Sequence, residues 1–75
     1  MKRIIQISVS KSGKYYVAEG VDLPVVTQAK TLDELTKNIQ EVIELYLEGE
    51  DLAELDIAPS PSILLNYELP TSVHA

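Results

Sequence analysis

The 75-residue chain contains no cysteine. Disulfides, thiolate metal sites and cysteine nucleophiles are thereby excluded, and the composition fits a reducing compartment. Histidine is nearly as scarce, with His74 alone, next to the last residue. A general base must be held in a fixed geometry, and the tail at 71–75 offers none. One histidine without cysteine makes no zinc-type cluster. Glu50, Asp51, Glu54 and Asp56 lack the spacing and tight-turn glycine of a calcium loop. The serines have no nearby base, and Gly13 and Gly20 do not form a phosphate loop. Asp22, Asp33 and Asp56 can be drawn as a two-metal set. Each has a plainer reading, as turn residue, first-turn helix acid and loop acid. No catalytic residue, metal or cofactor is expected, so the chain reads as a binding module and not an enzyme.

Long apolar runs are missing too. Lys2 and Arg3 stand at the start, but Gln6, Ser8 and Ser10 interrupt the hydrophobic residues that follow, unlike a secretory signal. No stretch approaches the roughly 20 residues of a membrane span. A cytoplasmic protein without membrane contact is expected. The length supports one small domain, expected over 1–70, with a core marginal enough to make dimerisation or tetramerisation plausible on size alone.

Basic residues are absent from the second half. Residues 1–37 hold all six lysines and arginines against four acids, a net +2. Residues 38–75 hold eight acids and no lysine or arginine, a net −8, which gives the chain its −6. Such a distribution serves solubility, or meets a basic partner. It disfavours direct DNA or RNA binding, which needs clustered cations against phosphate.

What is present is a readable order of elements. Arg3–Ser10 alternates, with Ile5, Ile7 and Val9 on one side, and reads as a strand. Residues 11–14 form a turn around Gly13. Tyr15–Val21 is a second strand, with Tyr15, Val17 and Val21 on one face and Tyr16, Ala18 and Gly20 on the other. Pro24 breaks the run, and Val25–Ala29 is a short third strand. Thr31 suits a helix N-cap, with Glu34 completing a capping box and Asp33 and Glu34 favoured by the dipole. Leu32, Leu35, Ile39, Val42, Ile43, Tyr46 and Leu47 form one stripe, and Gly49 stops the helix. Pro59 and Pro61 argue against regular structure before Ser62–Leu69, a fourth strand ended by Pro70. The expected architecture is α+β, β-β-β-α-β. An antiparallel sheet would carry one amphipathic helix over Ile5, Ile7, Val9, Val17, Val25, Ile63 and Leu65.

One helix covers one face of a sheet. The other face is expected to show Ile4, Tyr16, Ala18, Val26 and Leu64, a basis for self-association. On the helix, Glu41, Glu44 and Glu48 are spaced so that like charges repel slightly, a cost that a basic partner would offset. The candidate partner-binding residues are therefore Tyr16, Val26 and Leu64 on the sheet, and Glu41, Glu44 and Glu48 on the helix.

The run from Tyr16 to Glu48 resembles the N-terminal domain of HicB-family antitoxins and their single-domain relatives. The matching residues are Tyr16-Val17-Ala18, Leu23-Pro24, Thr27-Gln28, Thr31-Leu32-Asp33-Glu34, Asn38 and Glu41 to Leu47. The resemblance implies a partial ribonuclease-H-like fold without nuclease activity. It also implies an antitoxin that neutralises a small basic mRNA-cleaving ribonuclease (HicA-type) by covering its surface. Where the family commonly has glycine and cysteine after the proline, this chain has Val25 and Val26. The few residues beyond the fourth strand leave no room for the DNA-binding domain of longer members, so operator binding is not expected. The alternative is a homo-oligomer of structural or regulatory role with no toxin.

Overall fold

The computed structural model describes residues 1–69 and 71 of the chain. The geometry of one tight turn organises most of it. Ser12 pairs with Tyr15, leaving Gly13 and Lys14 as a two-residue hairpin loop. Gly13 sits at φ 59°, the positive φ that a type II′ turn demands at its first position and that matches strand twist. On either side run β1 (Lys2–Ser12) and β2 (Tyr15–Gly20), antiparallel. A short β3 (Val26–Ala29) pairs antiparallel with β2.

The loop between β2 and β3 is compact because Gly20 N–H donates to the Val25 carbonyl at 2.8 Å and Val25 N–H to the Leu23 carbonyl at 2.8 Å. Leu23 and Val25, on either side of Pro24, are both buried. The chain then enters α1 (Leu32–Leu47). Thr31 is the N-cap, its side-chain oxygen accepting from Glu34 N–H at 3.1 Å. Gly49, at φ 77°, turns the chain out of the helix as expected.

A helix of 16 residues is roughly 24 Å long. It carries the chain back along the sheet, so the next strand starts at the end where β3 and β1 start. β4 (Ile57–Tyr67) is therefore parallel to β1, and the sheet is mixed, in the order β3-β2-β1-β4. The α+β class and the β-β-β-α-β order are as the sequence predicts; the wholly antiparallel sheet is not, because a helix between strands is a crossover.

β4 also starts five residues earlier than expected. Pro59 and Pro61 lie within it, since β4 is an edge strand and one side of its backbone needs no ladder partner. Asp56, at φ 56°, turns the chain into the strand, and Lys2 N–H donates to its carbonyl at 2.7 Å. Ile57, at the start of the strand, is a fully buried core residue. The strand ends at Tyr67, two residues short of Leu69. Pro70 and 72–75, which include His74 and most of the expected tail, lie outside the described residues.

Leu35, Ile39 and Ile43 form the buried helix stripe, resting on Ile5, Ile7, Val9, Ala18, Val25 and Ala29. Val42, Tyr46 and Leu47 pack at its margins, whereas Leu32 is exposed. Two expectations for β2 are reversed. Val9 pairs with Ala18 and Lys11 with Tyr16, so Ala18 and Tyr16 share the helix face with Val9, and Val17 lies on the other. Paired residues share a face, and a two-residue loop pairs odd positions with even ones. Leu65 lies on the helix face as expected but remains exposed, because the helix leans toward the β2–β3 side.

Candidate interaction surfaces

Three surfaces are built on this frame: the bare sheet face, the outer side of α1, and a groove between α1 and β4. The bare face alternates with the core. Gln6, Ser8 and Ser10 run down its middle on β1, between Val17 and Glu19 on β2 and Ser62, Leu64 and Asn66 on β4. Its centre is polar. The exposed apolar residues on it are Val26 on β3, Tyr15 on β2 with Val21 just beyond the strand, and Leu64 on β4 with Ile4 beside it. Val26 and Leu64 belong to opposite edge strands, about 14 Å apart at the usual strand spacing. Gln6, Ser8, Ser10 and Glu19 interrupt these apolar residues.

Tyr16 has a structural role instead. Its ring meets Tyr67 edge to face, 5.9 Å between centroids, and Lys11 Nζ lies 4.9 Å from its centroid. These contacts join β2 to β4 by an aromatic pair packed against the core. Tyr16 is therefore removed from the bare-face set, because register places it on the helix side.

Glu41, Glu44 and Glu48 are all exposed. They follow the solvent side of α1 toward its C-terminus, where the last turn has no basic residue. The acidic surface continues past the helix. Glu50, Asp51, Glu54 and Asp56 are exposed in the connection to β4, which is tightened by Asp51 Oδ1 accepting from Ala53 N–H at 3.0 Å. Asp56 is met by the N-terminal ammonium at 3.5 Å, and Asp22 by Lys2 at 3.3 Å. Among the described residues no three acids, histidines or cysteines stand close enough to hold a metal ion. No described helix is long and apolar enough to cross a membrane.

The groove escaped the sequence reading. One α1 wall is Thr36, Ile39, Gln40, Ile43, Glu44 and Leu47; the floor and opposite wall are Ser60, Pro61, Ile63 and Leu65. Its two lobes hold about 320 and 370 Å³. It exists because α1 leans away from β4: on the other side Asn38 Nδ2 donates to the Gln28 carbonyl of β3 at 3.1 Å. Helical spacing alone does not reveal a lateral lean, so no sequence signal marks the groove. Of the six candidate residues, only Glu44 lines it; the six form no single site.

The chain is 51% identical over 49 residues to a UPF0150 protein of Archaeoglobus fulgidus, a match spanning 64% of this chain and 70% of that protein. No family model and no solved structure matches the chain.

Proposed function

The chain belongs to the UPF0150 family, and from that premise we propose that it is a HicB-like antitoxin. It binds a small basic mRNA-cleaving ribonuclease of the HicA type and neutralises it by covering its surface. The observation that carries this reading is the acidic band. Glu41, Glu44 and Glu48 on α1 are followed by Glu50, Asp51, Glu54 and Asp56, all exposed, with no lysine or arginine after Lys37. Surfaces of one sign steer and select partners of the other. The residues that resemble the HicB domain include the start and end of the same helix, Thr31 to Glu34 and Glu41 to Leu47.

The test is capture of the tagged protein from its native cells at moderate salt, with everything retained identified by mass. The expected result is a stoichiometric, small, lysine-rich protein that cleaves RNA only when released. Repeated captures that return no such protein would overturn the antitoxin reading and leave a self-associating protein in its place.

A further inference from the structure

The two edges of the sheet are treated differently. β3 has only four residues, and α1 is tied to it through Asn38 and Gln28. β4 has eleven residues at the other edge. Natural edges are guarded by shortness, charge, proline, bulges or cover. The first half of β4 is guarded: Pro59 and Pro61 lie there, Ser60 is at φ 51°, and the register against β1 shifts between Lys2 and Ile4. Ser62–Tyr67 has none of these devices. It pairs regularly with β1 on one side, from Ile4–Ser62 to Val9–Tyr67, and offers roughly 20 Å of open backbone on the other.

Apolar side chains flank this open stretch on both faces. Leu64 (47% exposed) lies beside Ile4 (51%) on the bare face, while Leu65 (39%) and Ile63 floor the groove beneath α1. Residues 57–67 are also the longest stretch without a charged residue in a chain of net charge −6. A basic partner finds one carboxylate here, Glu44. A second copy finds a neutral strand where the acidic bands need not meet.

We propose that Ser62–Asn66 pairs antiparallel with the same segment of a second copy of this chain, joining two four-stranded sheets into one of eight strands. The register follows from symmetry. Two identical strands related by a two-fold axis pair residues whose numbers have a constant sum, and paired residues must share a face. One residue therefore sits opposite itself. With Leu64 on the axis, Leu64 meets Leu64, Ile63 meets Leu65, and Ser62 meets Asn66, so every pair is apolar with apolar or polar with polar. With Leu65 on the axis, Leu64 would face Asn66. The first register is the self-complementary one. The groove then runs along the inside of the joined sheet, with each copy's α1 on the same side. This pairing does not depend on a toxin and uses a strand, not the acidic band.

The test is the mass in solution of the full chain, with substitutions at the axis. The unmodified chain is expected at twice its 8.3 kDa. Leu64→Lys places two like charges opposite each other and is expected to give single chains, with far-ultraviolet circular dichroism unchanged because Leu64 is outside the core. Val26→Lys, on the other edge, should leave the dimer intact. The chain has no cysteine, so Leu64→Cys tests the register: mild oxidation should yield a covalent dimer, and Val26→Cys should not. An unmodified chain that runs as a single copy at hundreds of micromolar overturns the proposal. So does a folded Leu64→Lys variant that remains dimeric, or failure of Leu64→Cys to cross-link faster than Val26→Cys.

Discussion

Side-chain roles here are decided by which face the register assigns, and two residues show how sharply. Tyr16, exposed in a naive alternation, packs against Tyr67 and under Lys11. Tyr16→Ala should therefore lower stability by about 2 kcal/mol, the scale of a partly buried aromatic truncation, and leave solution mass unchanged. Urea unfolding monitored by circular dichroism, alongside light scattering, separates the two effects; Tyr16→Phe, which keeps the ring, should be close to neutral. Gly20 is the second case. A Cβ there would run into the Leu23 carbonyl oxygen and press on Val25 at 2.9 Å. The obstacle is backbone, the Leu23 carbonyl that accepts from Val25 N–H at 2.8 Å. Gly20→Ala is expected to cost about 2 kcal/mol, at the scale of overpacking and despite alanine's usual entropic advantage. An unchanged urea midpoint would show that the β2–β3 loop yields freely.

At the scale of the element, α1 is strong at its start and poorly served at its end. Thr31 caps the first turn and Asp33 and Glu34 match the dipole, so Thr31→Ala should cost about 1 kcal/mol. The last turn has Glu44 and no basic residue, and Glu48 follows as the C-cap. Both carboxylates lie at the negative end of the dipole and repel each other at i, i+4. Glu44→Lys should accordingly raise stability by about 0.5 kcal/mol at low salt, an effect that shrinks in 0.5 M salt; thermal melts at both salt concentrations check the sign. A stabilising change at a wild-type acid is what a surface kept for binding would show. The helix was the most legible element of the sequence, since capping, stripe and stop are all local signals. The strands were less so. β2 is apolar on both sides, and only the two-residue loop tells which side meets Val9. β4 was half hidden because proline argues against strands in general but not against edge strands. The groove was not legible at all, because it follows from the lean of α1 toward β3 and not from any residue pattern. The candidate acids are exposed, while register and strand order scatter the three sheet residues.

Over the whole molecule, charge and neutrality are segregated. The acidic band follows the outer side of α1 and its exit loop, while β4 carries no charge from Ile57 to Tyr67. A molecule so divided can pair with itself along the strand and still present carboxylates to something basic, because the two surfaces need not compete. This separation makes an unambiguous kinetic prediction. Changing Glu41, Glu44 and Glu48 together to glutamine removes half of the net charge of −6 without altering shape or the Leu64 edge. Association with the proposed basic ribonuclease should slow about tenfold at low ionic strength, within the usual range for electrostatic steering, and the difference should fade as salt shortens the Debye length. Self-association of the same variant should persist or strengthen slightly, since repulsion between like-charged copies is reduced. Stopped-flow mixing with the partner and sedimentation of the variant alone read the two effects separately. Equal slowing of both would mean that the acidic band and the neutral strand form one surface, and the division of labour between helix and edge would fall.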